Sequence, residues 1–317
     1  MRSDTVPYRE TPVLLLAFNR PETTSLVFER IREVQPVRLL ISIDGPRADV
    51  KTDLANCLAV REIVSRVDWE CNVSTRVAKT NSGCRYGPAS GIDWAFGQVD
   101  EVIILEDDCL PDPSFFPYCA ELLHRYRDTP LVRTIGGHRW EAPDLRDGAS
   151  YYYSRYPSTW GWATWADRWR GFDVDMQEWR TLRSESWLNN LLRDERYVNY
   201  WHRTFDGMIQ GLDAWDYAWL FACWRKGGLS IRPNVNLVTN LGFGPAATHT
   251  FQAEHPASRQ ATNIDLPLRH PHTIESDAKV EELLEWVNYS GVVTRQVQEG
   301  AKRISERRRG NMLGRSG

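Results

Sequence analysis

The sequence predicts an α/β fold in which a mostly parallel central sheet is flanked by helices, and three observations indicate it. Short apolar runs recur through the first half of the 317-residue chain. Segments with helical spacing separate these runs, and strands that alternate with helices form βαβ units with parallel strands. The runs also lack polar alternation, which is typical of strands covered on both faces of a sheet. A chain of this length forms one large domain or two close-packed lobes.

The first half supplies four expected strands and the helices between them. The strands are expected at 11–21, 37–46, 73–77 and 102–106, the helices at 22–34, 51–66 and 89–98, and a loop at 81–88. Arg20, Asp44 and Glu106 stand at the ends of the first, second and fourth strands. Open α/β sheets bind ligands at the carboxyl ends of their strands, so these residues are expected to form one site.

The second half differs in character, because eleven of the 14 tryptophans lie between Trp140 and Trp224. Helices are expected at 114–127, 163–169, 184–210 (as one helix or two), 214–226 and 277–300, and strands at 132–138 and 230–232. The chain is therefore divided into an α/β half at 1–130, an aromatic-rich half of the same domain at 131–264, and a C-terminal helix with a basic tail at 265–317.

Composition and charge exclude several classes of function. The net charge of -3 argues against a general nucleic-acid binder, which needs a distributed basic face. The N-terminus has no apolar signal core and no apolar run is long enough to span a bilayer, so a soluble, cytoplasmic protein is expected. The six cysteines lack zinc-type spacing, which favours reduced, buried thiols. The basic tail at 302–315 is either solvated and disordered or a peripheral contact with an anionic membrane face.

Three adjacent carboxylates, Glu106, Asp107 and Asp108, follow the apolar run at 102–105. Neighbouring carboxylates repel one another, so they must be solvated, paired or bound to a cation. One interpretation is a divalent ion with oxygen ligands that is shared with a phosphate-bearing substrate. The other interpretation is an ordinary acidic strand end.

Five stretches of the chain, in order between residues 10 and 250, carry a resemblance to a known family. They are 17–21, 42–45, 94–98, 102–108 together with 113–116, and 215–216 followed by 231–233 and 248–249. In these stretches the chain resembles glycosyltransferases of the Rossmann-like GT-A fold, in particular the inverting N-acetylglucosaminyltransferase I family and its bacterial family 2-like relatives. The resemblance implies metal-dependent, inverting transfer of a sugar from a nucleotide-sugar donor, with UDP favoured, to a hydroxyl of a glycan or glycolipid acceptor.

The resemblance also implies roles for the three carboxylates. Asp108 corresponds to the metal ligand, for Mn²⁺ in the first place and Mg²⁺ as the alternative, while Glu106 and Asp107 face the sugar and ribose of the donor. A metal bridging a diphosphate neutralises the charge of the leaving group as a Lewis acid. The alternative for Asp108 is a cap on the helix that is expected from about Ser114.

The donor contacts are expected around the strand ends and two loops. Arg20 can bind phosphate oxygens bidentately, and Asp44 corresponds to the residue that reads uracil N3–H in the family, unless it only forms a turn. The chain departs from the family at Gly91, where a nucleotide-contacting histidine aligns. The glycine-rich loop at 240–250 is expected to form a lid over the bound donor. The full set of expected donor contacts is Phe18, Asn19, Arg20, Asp44, Arg85, Tyr86, Glu106, Asp107, Thr248 and His249.

The acceptor side is expected to carry a general base and an aromatic platform. By resemblance the base is Asp216, in a Trp-Asp context, and Asp213 is the reserve. Asp216 can instead stabilise the start of a helix, whereas neighbouring aromatic rings would raise its pKa by desolvation. Trp160 and Trp162 fit a platform for a sugar ring, although most tryptophans belong to the core.

Two other classes of function compete with glycosyl transfer. A sugar nucleotidyltransferase uses a similar sheet, but it needs a glycine-rich, basic signature near the N-terminus, which residues 17–21 lack. A non-catalytic carbohydrate-binding protein would use the tryptophans alone. That interpretation does not explain why Arg20, Asp44 and Asp108 are expected to converge.

Overall fold

The computed structural model describes residues 7–139, 148–242, 259–286 and 289. The strands in these ranges are β1 (Val13–Ala17), β2 (Arg38–Ile43), β3 (Asn72–Val77), β4 (Glu101–Glu106), β5 (Cys109–Pro111), β6 (Val132–Gly136), β7 (Tyr151–Ser154), β8 (Trp162–Trp165), β9 (Leu229–Pro233) and β10 (Val238–Asn240). The helices are α1 (Pro21–Val34), α2 (Asp53–Val64), α3 (Gly83–Phe96), α4 (Phe115–Tyr126), α5 (Ala166–Trp169), α6 (Trp179–Leu182), α7 (Trp187–Leu191), α8 (Glu195–Ile209) and α9 (Asp216–Arg225). Residues 278–286 are also helical.

Eight strands form one sheet that runs through both halves of the chain, in the order β3-β2-β1-β4-β8-β6-β9-β7. The first four strands are all parallel, and β6 and β9 are also parallel. The pairs β4–β8, β6–β8 and β7–β9 are antiparallel. Four of the seven neighbouring pairs are therefore parallel, which confirms the predicted α/β fold with a mostly parallel sheet. A separate antiparallel pair joins β5 to β10.

Alternation along β1 explains why an uninterrupted apolar run forms this strand. Val13 and Leu15 belong to one core with α1 and α4, whereas Leu14 and Leu16 belong to another with α3. Successive side chains on a strand point to opposite faces, so both faces of the sheet are covered by helices. All five residues of the strand are buried.

The second half forms a separate aromatic core beside the sheet, as its tryptophan content predicts. Trp179, Trp201 and Phe205 are fully buried in it, together with Tyr156 and Trp224. The helices α8 and α9 contribute most of these rings. Edge-to-face packing is common among them, with 5.2 Å between the ring centroids of Trp179 and Phe205.

The helix α3 begins at Gly83, six residues before its expected start, so the expected loop at 81–88 is wrong. Its first turn is capped from a distance, because the Asp213 carboxylate accepts hydrogen bonds from the backbone N–H groups of Cys84 (3.1 Å) and Arg85 (2.7 Å). Pro88 lies inside this helix. Capping by a residue far along the chain leaves no local signal at the helix start.

The expected helix at 163–169 is correct only in its second half. Residues 162–165 instead form β8, which pairs with β4 on one side and β6 on the other. The pairing of Trp162 with Ile104 inserts this segment into the middle of the sheet, and tertiary packing overrides its local preference. The expected helix at 184–210 is two helices, α7 and α8, and Asp194 caps the second through the N–H of Arg196 (2.8 Å).

The packing of α3 on the sheet explains the glycine at position 91. A Cβ there would lie 2.7 Å from Leu16 Cδ2 and 2.9 Å from Ser42 Oγ, so a larger residue would require these side chains or the helix to shift. The close approach of α3 to the sheet therefore favours glycine at this position. Within the described ranges, no helix is both long and apolar enough to cross a bilayer.

Candidate functional site

Two adjoining cavities open at the carboxyl ends of β1, β2 and β4. The first has a volume of about 630 Å³ and the second of about 420 Å³. Arg20, Cys84, Pro88 and Glu106 line both of them, so the end of β4 forms their shared wall. The three strand ends that the sequence predicts to converge do meet around the first cavity.

The first cavity contains six of the ten expected donor contacts. Its acidic wall is held by Arg20, whose guanidinium forms an ion pair with Asp108 and lies 3.6 Å from Asp107 Oδ1. The backbone N–H of Phe18 donates to Asp107 Oδ2 at 2.9 Å. The expected contacts that line this cavity are Phe18, Asn19, Arg20, Asp44, Glu106 and Asp107.

Burial and the repulsion of neighbouring charges disfavour the ionised forms of Glu106 and Asp107, so the pKa of each is raised. Burial, and then the charge of Asp108, raise the pKa of Asp107 to about 7, against the opposing effect of Arg20. Burial also raises the pKa of Glu106 well above its usual range, and the charges of Asp108, Asp107 and Asp216 add to the effect. A neighbouring cation relieves this repulsion, as the guanidinium of Arg20 does in part.

Asp44 serves the backbone as well as the cavity. Its carboxylate accepts hydrogen bonds from Gly45 N (2.8 Å), Asn81 Nδ2 (2.9 Å) and Ser82 N (3.0 Å). Burial raises its pKa, and the hydrogen bonds from Ser82 and Gly45 oppose that shift. A carboxylate offers about four lone-pair sites, so Asp44 has little capacity left for a ligand. The turn-forming interpretation therefore describes most of what this side chain does.

Asn19 contributes to the cavity by positioning other side chains. Its amide donates to Asp53 Oδ1 at 2.7 Å, and Asp53 in turn accepts from Arg47 Nε at 2.6 Å. The guanidinium carbon of Arg47 then lies 5.4 Å from the centre of the Phe18 ring. Arg47 is therefore a cation at the cavity that Asp53 holds in place over the Phe18 ring.

We predict that Asp53→Asn destabilises the protein at neutral pH but not in acid. The hydrogen bond from Arg47 lowers the pKa of Asp53 to about 2, below its usual 3.8, so ionised Asp53 stabilises the fold above pH 3.8 and this contribution is lost as the pH falls through 2. The exposure of Arg47 reduces the cost of the substitution at pH 7 to about 1 kcal/mol.

Urea denaturation of both proteins between pH 7 and pH 3 measures this difference. The gap in the free energy of unfolding should narrow below about pH 4, where part of the wild-type stabilisation is lost. Asp49→Asn, at an exposed position near Arg47, is the matched control and should leave stability unchanged. A constant gap across the pH range would contradict the assignment to Asp53 ionisation.

Arg76 lines the first cavity and was not among the predicted site residues. Its guanidinium donates to Ser42 Oγ (3.2 Å) and Ser90 Oγ (3.0 Å), and its charge opposes the rise that burial causes in the pKa of nearby Asp44. It is the one charged residue of β3. A search of the sequence for charged residues on strands that lead to the site would have identified Arg76.

The second cavity brings together Asp108, Asp216 and Trp160. Asp216 is the first residue of α9, and its charge acts on Glu106 across the shared wall. The reserve candidate, Asp213, lines the first cavity instead and caps α3. The two aspartates therefore stand on different sides of the site. The remaining lining of this cavity is largely apolar or aromatic: Thr159, Leu212, Ala214, Trp215, Tyr217, Asn240 and Gly242.

Three expected contacts line neither cavity. Arg85 is buried and donates to Met208 O (2.9 Å) and Val174 O (3.1 Å), so it joins α3 to the aromatic half. Tyr86 projects outward and donates to Asp175. Trp162 is completely buried and stacks on Trp215, with 5.7 Å between ring centroids. It is a core residue, because β8 is an interior strand.

Thr248 and His249 lie outside the described residues, as do most of the expected lid at 240–250 and the basic tail.

The described residues contain no group of three or more His, Cys, Asp or Glu side chains placed to hold a metal ion. Asp108 and Glu106 nevertheless present carboxylates to the second cavity. A Cβ at Gly242 would collide with Asp108 Oδ2, so only glycine leaves room beside this oxygen. Carboxylate oxygens suit Mn²⁺ and Mg²⁺. The pair fits a cation whose other ligands come from a bound substrate.

Comparisons with known proteins add little to this geometry. No protein-family model matches the chain, and no curated protein sequence matches it. Among 75 matching chains of solved structures is a UDP-glucose pyrophosphorylase complexed with UDP-glucose. That match has 12% sequence identity and a TM-score of 0.26, and it covers 44% of this chain and 66% of the other, slightly under two thirds. A TM-score this low carries no conclusion about fold or function.

Proposed function

We propose that the protein is a nucleotide-sugar-dependent glycosyltransferase that moves a sugar to a hydroxyl acceptor. The observation that carries this proposal is the pair of cavities that share one acidic wall, with Arg20 and Glu106 on both sides. Group transfer needs a donor site and an acceptor site that meet at the reacting atoms. A pure binding module would have no use for a buried carboxylate wall between two cavities.

The first cavity is assigned to the nucleotide diphosphate of the donor. Arg20, Arg47 and Arg76 all line it and provide cationic groups for phosphate or carbonyl oxygens. The Phe18 ring, held under Arg47, is an apolar face for a base or ribose. Preference for UDP rests on the resemblance at Asp44, whose remaining hydrogen-bonding capacity is small.

The second cavity is assigned to the acceptor, with Asp216 as general base. Asp216 takes the proton from the acceptor hydroxyl as the hydroxyl oxygen attacks the anomeric carbon of the donor sugar. The bond from that carbon to the diphosphate breaks, and Arg20 stabilises the charge on the departing oxygen. Attack from the side opposite the leaving group inverts the anomeric configuration. Trp160 provides an aromatic surface for the acceptor ring.

A divalent cation, Mn²⁺ in the first place, is part of the proposal. Asp108 and Glu106 would hold it, and when bound it would supply Lewis-acid stabilisation of the diphosphate. Arg20 already neutralises Asp108 by an ion pair. Binding of the cation therefore requires Arg20 to share or release this carboxylate, and a donor phosphate is a suitable new partner for the guanidinium.

Calorimetric titration with UDP, with and without Mn²⁺, tests the assignment of the first cavity. We expect binding that is at least about tenfold tighter with Mn²⁺, since the ion adds charge-assisted contacts to the diphosphate. Uridine with Mn²⁺ is the matched control, because it lacks the phosphates, and it should show no such gain. Absence of nucleotide binding under both conditions would overturn the proposal.

A further inference from the structure

The strand β3 is an unpaired edge of the main sheet. It pairs with β2 on one side, and no strand in the described part of the chain pairs with its other side. Three alternate residues, Val73, Thr75 and Val77, are exposed on one face of this strand. Edge strands with unprotected N–H and C=O groups are templates for pairing with another strand.

The exposed face of β3 borders a groove next to α2. Val77 lines this groove together with Leu54 and Leu58 of α2, and the groove has a volume of about 340 Å³. Leu54 is 60% exposed, Leu58 52%, Val73 38% and Val77 40%. Four large apolar side chains around one edge exceed the scattered exposure of an ordinary surface.

The sequence of β3 is complementary to itself in the antiparallel direction. With Thr75 opposite Thr75 of a second copy, Val73 meets Val77 and Val77 meets Val73, so two apolar cross-strand pairs form on the exposed face. On the other face, Ser74 meets Arg76. The single charge of the strand is thus never opposite itself, and its guanidinium already points into the first cavity.

The charges that flank the strand fit the same alignment. Lys79 follows β3 and Glu70 precedes it, and both are exposed. In the alignment centred on Thr75, Lys79 comes opposite Cys71 of the second copy, one residue from Glu70. Glu70 comes opposite Thr80, so no like charges face each other anywhere between residues 70 and 80. The two reciprocal Val73–Val77 pairs, formed without opposed like charges, favour a second copy over an unrelated strand.

We propose that the protein forms a two-fold symmetric dimer through antiparallel pairing of β3 edges, centred on Thr75. The two eight-stranded sheets join into one continuous sheet across the copies. An axis perpendicular to the sheet keeps both α2 helices on the same face, so Leu54 and Leu58 of each copy cover the joined strands. The nucleotide cavities then lie next to the dimer axis, since Arg76 belongs to both β3 and the first cavity.

Opposite charges placed at position 75 of the two copies test this proposal. Light scattering during size-exclusion chromatography measures the mass of each assembly. The wild type should have twice the chain mass of 36.6 kDa. Thr75→Lys and Thr75→Glu should each raise the dimer dissociation constant about tenfold or more, because like charges then face each other. A one-to-one mixture of the two variants should restore the dimer. Thr181→Lys, on the exposed surface of α6, is the matched control and should remain dimeric.

A second variant, Leu54→Lys, changes an exposed position of α2 and leaves the sequence of β3 unchanged. It should also weaken the dimer. Circular dichroism verifies that each variant is folded. A monomeric wild type at all concentrations would overturn the proposal, and so would a dimer that is insensitive to both Thr75→Lys and Leu54→Lys. Two monomeric Thr75 variants that fail to associate when mixed would overturn the register centred on Thr75.

Discussion

Replacement of Asp216 by Asn should abolish sugar transfer while nucleotide binding survives. Asp216 lines the second cavity and not the first, so its carboxylate is placed to act on the acceptor. Asn has the same shape and cannot accept a proton, and a general base contributes about 10²- to 10⁴-fold to a rate. We therefore expect a fall of this size in kcat, with the dissociation constant of UDP changed by less than about twofold.

Asp213→Asn is the matched control for this variant. Asp213 lies three residues earlier and caps α3 through two backbone N–H groups. Asn keeps one acceptor oxygen and loses the second of these hydrogen bonds, so the variant should lose about 1 kcal/mol of stability. Its turnover should stay much closer to that of the wild type than the turnover of Asp216→Asn. Retained turnover in Asp216→Asn, or its loss only in Asp213→Asn, would move the role of the base away from Asp216.

Removal of Arg20 should weaken both the fold and the donor site. Arg20 is the cation that lies against Asp107 and Asp108, and its side chain is 25% exposed. Loss of one partner of a largely buried ion pair leaves an uncompensated charge, and partial exposure reduces the cost for Arg20→Ala to about 2 kcal/mol of unfolding free energy. Loss of charge-assisted hydrogen bonds to phosphate should weaken UDP binding about 10- to 100-fold.

The surface ion pair between Arg32 and Asp68 provides the control for Arg20. It is a bidentate pair, with Arg32 Nε 2.9 Å from Asp68 Oδ1, and both of its side chains are about half exposed. Arg32→Ala should change neither the urea midpoint nor UDP binding measurably. If Arg20→Ala left UDP affinity unchanged, Arg20 would be only a structural partner of the acidic wall, and another group would have to bind the phosphates.

The parts of the fold that local pattern determines were predictable from the sequence. The apolar runs of β1, β2 and β4 are predicted within a few residues, because their side chains pack into layers on both faces of the sheet. The convergence of Arg20, Asp44 and Glu106 followed from the geometry of parallel strands, and the first cavity confirms that these ends meet.

Features that depend on distant partners were not predictable in this way. The start of α3 is set by Asp213, 129 residues from the amide of Cys84 that it caps. The segment of β8 takes its strand form from pairing with β4 and β6. Arg85 illustrates the same limit for an expected site residue, because its side chain donates to the carbonyl groups of Val174 and Met208 and lines neither cavity.

The most direct test of the central claim is the identity of the nucleotide product. The protein should be incubated with Mn²⁺, a panel of nucleotide sugars and a mixture of glycan and glycolipid acceptors, and the products separated by chromatography. We predict release of a nucleoside diphosphate together with a glycosylated acceptor of inverted anomeric configuration, and no product from Asp216→Asn. In a parallel incubation with added pyrophosphate, formation of a nucleoside triphosphate and a sugar 1-phosphate without any glycosylated acceptor, which marks nucleotidyl transfer, would contradict the assignment of the two cavities to donor and acceptor.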